Sequence, residues 1–178
     1  MRTLLIASVF ALASAGIAAA DTQSYPSRPI TMVVPLPAGS AFDVTARIVA
    51  ERMQESLGQS VIVDNRPSNN GVVATEIAAR SPPDGHTFTV GNSGTHAVNA
   101  TLYAQLPYDP VRDFAAITQF STTGMVVAAN PRLPGTAIGD LAAAAKKQPG
   151  KLNVAIPGAT GEIAGDALWA QLGLQMTN

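Results

Sequence analysis

An α/β protein built on a mostly parallel sheet is the architecture that the sequence calls for, and three features point to it. Short β-rich apolar runs alternate with stretches of helical spacing from Pro26 onward. The first run, Ile30-Thr31-Met32-Val33-Val34, is apolar almost throughout, as in parallel strands covered on both faces. The connections are rich in Gly, Pro, Ser and Asn, the residues of turns and helix caps.

Taken in order, Ile30 to Val34 is the first predicted strand, and Pro35 to Ser40 is the loop that follows it. Asp43 to Leu57 has helical spacing, with Val44, Ile48, Val49, Met53 and Leu57 along one expected inner face and Gly58 placed as its C-cap. Val61 to Val63 is the second strand. Pro67 to Gly71 makes a polar turn and Val72 to Arg80 a second helix. Pro82-Pro83-Asp84-Gly85 is a strong turn signal ahead of a third strand, Thr87 to Val90. Asn92-Ser93-Gly94-Thr95 then leads into a short helix through Leu102. Ala116 to Phe120 and Met125 to Ala129 are two consecutive strand candidates. Thr136 or Asp140 caps an Ala-rich helix ending near Lys147, where Lys146 and Lys147 complement the helix dipole. Leu152 to Ile156 is a last strand, Gly158 to Gly161 a loop, and Ile163 to Leu172 a last helix. The regular alternation breaks between Met125 and Pro134, where a change of structural unit is expected.

The first twenty residues read as an address. Met1-Arg2 gives a positive start, and Leu4, Leu5, Ile6, Val9, Phe10 and Leu12 form a short apolar run. Ala18-Ala19-Ala20 supplies small residues for a signal peptidase, with cleavage expected after Ala20 and before Asp21. The run is too short and Ala-rich for a membrane span, and no cysteine follows it to carry a lipid anchor. A formal net charge of −1 with 13% charged residues argues against nucleic acid or an anionic membrane surface as partner. The absence of cysteine excludes Cys nucleophiles and Cys-based metal sites, and two histidines leave little for any other metal centre. No dinucleotide or Walker-type fingerprint is present, so no cofactor is expected.

Three loops share one construction: an apolar strand, a Gly-containing run of small polar residues, then a helix start. They are Leu36-Pro37-Ala38-Gly39-Ser40-Ala41-Phe42-Asp43, Asn92-Ser93-Gly94-Thr95, and Pro157-Gly158-Ala159-Thr160-Gly161. A helix N-terminus offers unpaired N–H groups and partial positive charge, Gly admits an anion close to the backbone, and Ser and Thr add donors. Open α/β sheets bind ligands at the C-terminal ends of their strands. Three such loops there would hold a carboxylate or phosphate without Arg or Lys. A single loop of this kind is more often an ordinary turn and cap, and Asp43 either caps the first helix, the commoner use, or accepts a hydrogen bond from a ligand. Gly91-Asn92-Ser93-Gly94-Thr95 is a near miss to a nucleophile elbow, with Thr95 in place of the second Gly. His96 lies on the same loop as Ser93 rather than opposite it, and His86 is expected at an edge or surface. Phe114 and Trp169 are expected in the core.

An ordered series of stretches resembles the receptors of tripartite tricarboxylate transporters, also called Bug proteins. It runs from Tyr25-Pro26-Ser27-Arg28-Pro29-Ile30 and the Gly39-to-Asp43 loop through Val61-Ile62-Val63-Asp64-Asn65-Arg66-Pro67, Pro83-Asp84-Gly85 and Ser93-Gly94-Thr95-His96-Ala97-Val98-Asn99. It continues through Leu106-Pro107-Tyr108-Asp109-Pro110 to Pro149-Gly150-Lys151-Leu152-Asn153, covering residues 25 to 172. The resemblance implies a periplasmic-binding-protein-like fold of type II, the two-lobed Venus flytrap. Residues 21–124 would form the first lobe, mostly present, and 125–178 part of an incomplete second lobe. It implies a periplasmic receptor, not an enzyme, that delivers a small organic acid to the membrane permease subunits of a tripartite transporter. Carried onto this chain, its carboxylate site falls on Pro37, Ala38, Gly39, Ser40, Ala41, Phe42 and Asp43, on Ser93 and Thr95, and on Thr160 and Gly161.

The chain departs from the family pattern in three places. Ser40 follows Gly39 where consecutive glycines are common, and Phe42 either narrows the cleft, offers a stacking face to an aromatic acid, or packs under the loop. Glu162 follows Gly161 where a hydroxyl-rich run is usual, and it would oppose an anion unless it points to solvent. The family also continues well past the position of Asn178, so a truncated chain with an exposed sheet edge, and with either marginal stability or pairing with another chain, is expected. A non-functional fragment and a periplasmic hydrolase using Ser93 remain the rival readings.

Overall fold

The computed structural model of the chain describes residues 24–156 and 158–176. The signal expected at 1–20 and Pro157 of the third loop lie outside the described residues.

β1 (Ile30–Val34) runs through the middle of a three-stranded sheet, between β2 (Val61–Asn65) and β3 (Thr87–Thr89). Both neighbours are parallel to it, and Met32 stands opposite Val63 and Phe88. Ile30, Met32, Val33 and Val34 are all buried, so the central strand is covered on both faces, as its uninterrupted apolar sequence demands. The outer β2 reads differently: Ile62 is half exposed.

α1 (Ala41–Leu57) starts at Ser40, whose Oγ accepts the Asp43 N–H, and stops at Gly58. There the chain turns left-handed, φ 68°, and the Gly58 N–H closes on the Gln54 carbonyl. Its inner face is only partly the one expected. Ala46 and Ala50 pack on Met32, Val34 and Val90, with Val49 and Met53 beside them, while Val44 and Ile48 are 50% and 58% exposed. Two adjacent apolar stripes fit the same spacing, and the alanine stripe won because small side chains let helix and sheet approach closely. α2 (Val72–Ala79) packs against β1 and β3 through buried Ala74 and Thr75.

After β3 the chain makes one π-helical turn, Gly94–Val98, and runs into the short α3 (Asn99–Leu102). α4 (Ile138–Lys147) and α5 (Gly158–Leu172) follow. α5 begins five residues earlier than expected, so Gly158 to Gly161 form its first turn rather than a loop. At α4 the N-cap position belongs to Ala137, not Thr136 or Asp140. Asp140 serves from inside the first turn, its Oδ2 accepting the N–H groups of Thr136 and Ala137.

Three predicted strands make no ladder. Residues 116–120, 125–129 and 152–156 carry no strand pairing beyond an isolated bridge at Asn153, and Ile117 and Val126 are 79% and 88% exposed. Apolar, β-branched sequence becomes a strand only where another backbone pairs with it, and none of the described segments does. His86 sits at the head of β3, an edge strand of the sheet, but it is buried rather than at the surface, its Nε2 accepting the Ser27 N–H at 3.2 Å and its ring packing T-shaped on Tyr25. Trp169 is buried as expected, while Phe114 is half-buried, edge-on to His96 and Tyr108.

Candidate functional site

The predicted loops sit at the C-terminal ends of β1 and β3 and at the first turn of α5. At the first loop, Asp43 is the organiser. Its carboxylate is buried and accepts from the Gly39 N–H at 2.8 Å, Asn65 Nδ2 at 3.0 Å, and both Arg47 Nε and a terminal Arg47 nitrogen at 3.1 and 3.0 Å. Four donors saturate the carboxylate, which favours the capping role over contact with a ligand. Asn65 also donates to the Leu36 carbonyl at 3.1 Å, locking the end of β2 to the loop. The N–H groups of Ala41 and Phe42 have no hydrogen-bond partner among the described residues and face the start of α1 unpaired.

Hydrogen bonding from Arg47, then from Gly39, lowers the pKa of Asp43 from 3.8 to about 2. A depressed carboxylate pKa contributes stability that is fully present above the unfolded value and is lost as pH falls through the folded value. Asp84 has the same shift, to about 2, through the His86 N–H and Arg28. Acid unfolding between about pH 4 and 2 is therefore expected to lose part of its pH dependence in Asp43→Asn, measured as melting temperature against pH. An unchanged slope would show that Asp43 is not a determinant of acid stability.

At the second loop, Asn92 and Thr95 bond reciprocally. Thr95 N–H donates to Asn92 Oδ1 at 2.9 Å, and Asn92 N–H donates to Thr95 Oγ1 at 3.0 Å. Thr95 is buried by this arrangement and shapes the loop from beneath. Ser93 is left exposed, and its Oγ lies 3.2 Å from Thr160 Oγ1 at the start of α5. Gly94 permits that approach, since a Cβ there would stand 3.3 Å from Thr160 Oγ1 and 2.9 Å from Asn92 Oδ1. His96 does not serve Ser93: its Nδ1 lies 2.8 Å from Thr95 Oγ1, and burial lowers its pKa. Ser93 therefore has no base among its hydrogen-bond partners.

Phe42, Ser93, Thr160 and Gly161 line one cavity of about 1110 Å³, together with Asn92 and Trp169. Pro37, Ala38, Gly39, Ser40, Ala41, Asp43 and Thr95 do not line it. Phe42 is half-buried, packing on the core on one side and facing the cavity on the other. No Asp, Glu, Lys, Arg or His is found among the described residues of the wall. Glu162 is exposed and outside that wall. Among the described residues, no group of three or more His, Cys, Asp or Glu could hold a metal ion, and no helix is long and apolar enough to cross a membrane. Two residues that the sequence placed in loops but not in the site carry much of the geometry. Asn92 shapes the second loop, and Asn70 accepts the Ala159 N–H of α5 at 3.2 Å. The Asn70-Gly71 pair, a turn signal in its own right, was the clue to the second.

Solved periplasmic binding proteins share this α/β fold. In solved structures, a periplasmic transporter is matched with TM-score 0.80 and 35% identity over 86% of this chain and 52% of that one. An R. palustris protein solved with adipate is matched with TM-score 0.70 and 34% identity over the same shares. The UPF0065 protein in the tcbD-tcbE intergenic region of Pseudomonas sp. (strain P51) is 38% identical over 88% of this chain and 46% of its own length. Residues 45–178 match the model of the tripartite tricarboxylate transporter family receptor, and the chain belongs to that family of receptors. It spans about half the length of the curated relatives it matches.

Proposed function

We propose that the protein is an extracytoplasmic solute-binding receptor for a small carboxylate, delivering it to the permease subunits of a tripartite transporter after export through a signal cleaved behind Ala20. Residues 21–124 form lobe one and 125–178 contribute to lobe two. The observation that carries the reading is the cavity wall, in which hydroxyls of Ser93 and Thr160 and the aromatic face of Phe42 converge without a charged side chain. Such a wall suits a carboxylate held by helix-start N–H groups and hydroxyls, with its body against apolar surface. The adipate bound in a relative is a ligand of this chemistry.

Thermal melts of the chain with adipate, malate, citrate and benzoate test it. An acid that binds the folded state adds about 2.7 kcal/mol at a hundredfold excess over Kd. At least one is expected to raise the melting temperature, and Ser93→Ala is expected to weaken that acid about three- to tenfold, one hydrogen bond being worth about 0.5–1.5 kcal/mol. A melt that no acid moves removes the reading.

A further inference from the structure

We infer that Asn70 is a positioning residue that latches the first turn of α5 to lobe one and so sets how far apart the two walls of the cleft stand. Its backbone is left-handed, φ 50° and ψ 23°, a conformation that Asn tolerates better than most side chains. The Asn70 carbonyl accepts from Asn99 Nδ2 at 2.9 Å, and Asn99 is itself fully buried, so the peptide is fixed from beneath. Asn99 Nδ2 also donates to the Tyr108 hydroxyl, which donates to the Thr95 carbonyl at 2.7 Å. The anchor of Asn70 is thus the same network that supports the second cleft loop.

From that anchor the side chain reaches α5. Its Oδ1 accepts the Ala159 N–H at 3.2 Å, and its Nδ2 donates to the Tyr103 hydroxyl at 3.2 Å. An N–H can only donate, so the amide oxygen must face α5. Ala159 is 6% exposed, which leaves little room for water to replace the bond. Only one other side-chain hydrogen bond among the described residues joins lobe one to this turn, the Ser93–Thr160 pair. Those hydroxyls line the cavity and are open to competition from a ligand, whereas Asn70 does not line it. Asn70 therefore acts through the placement of α5, keeping Thr160 within reach of Ser93 when the cleft is empty and when the hydroxyls turn to a ligand.

This role presupposes the two-lobe reading but needs no ligand, and its test uses none. The chain lacks cysteine, so Gln54→Cys on α1 and Gln171→Cys on α5, both exposed, accept a pair of spin labels. Pulsed dipolar distances in the full 178-residue chain are expected to lengthen and broaden in Asn70→Gly, which keeps the left-handed backbone and removes the acceptor. Asn70→Asp keeps an acceptor and is expected to retain the parental distance. A parental distribution in Asn70→Gly overturns the latch, and so does an Asn70→Asp shift equal to it, because the acceptor would then not be the cause. In the unsubstituted chain, the Ala159 amide is expected to exchange slowly with solvent hydrogen. Exchange at the unprotected rate overturns the latch whether or not the variants fold. Acid melts judge the receptor reading separately.

Discussion

Gly71→Ala is expected to destabilise the chain by about 3 kcal/mol, the sum of a left-handed backbone penalty and an overpacking penalty of about 1–3 kcal/mol. Gly71 has φ 73°, which an L side chain adopts only under strain. An added Cβ would also stand 2.8 Å from Pro35 Cβ and 2.8 Å from Thr95 Cγ2. Neither neighbour can withdraw. Pro35 is fully buried at the end of β1, and Thr95 is tied to Asn92 and buried under the second loop. The substitution therefore wedges the first and second cleft loops apart, and ligand affinity is expected to fall with stability. Chemical denaturation measures the first effect. A loss under about 1 kcal/mol would mean that the turn relaxes freely and that Gly71 does not set the loop spacing.

Position 71 also shows what a sequence reveals and what it withholds. Ser68-Asn69-Asn70-Gly71 reads as a turn because Asn and Gly tolerate positive φ, and it is one. That Gly71 is pinned between Pro35 and Thr95, residues 36 and 24 positions away along the chain, follows only from the fold. The same division holds elsewhere. β1, β2 and β3 were legible because each is a short run rich in β-branched or aromatic residues and bounded by turn residues, and α1 because Ser40 and Gly58 punctuate it. The inner face of α1 was only partly legible, since Val44 and Ile48 offered as good a stripe as Ala46 and Ala50 until the sheet was in place. Residues 116–120 and 125–129 have strand composition, but pairing is a long-range property that composition cannot supply.

The cleft divides in the same way. Ser93, Thr160 and Gly161 were readable as small polar residues at helix starts, and they share one wall with Phe42. Asp43 and Thr95 come from the same loops and turn inward, because a buried loop must satisfy its own N–H groups before it can offer any to a ligand. The loop polar residues thus split into those that build the loop and those left at its surface. Asn70 belongs to the first group and Asn92 to both, and they support Ser93 and Thr160 in the second.

Met32→Ala is expected to cost about 3 kcal/mol, against less than about 1 kcal/mol for Ile62→Ala on the neighbouring strand. The two residues differ in where their strand lies, not in apolar character. Met32 is 1% exposed at the centre of β1, packed with Val34, Ala46, Ala50 and Val90. Removing its side chain leaves a cavity that α1 cannot close without abandoning the Ser40 and Asp43 bonds that fix its start. Ile62 is 52% exposed on β2, so truncation there opens no enclosed space. Urea denaturation of the two variants at one pH gives the comparison. Equal losses would mean that the outer face of β2 is covered in solution by something that contributes as much as α1 does, and the exposed Ile62 would then mark a packing surface rather than a solvated one.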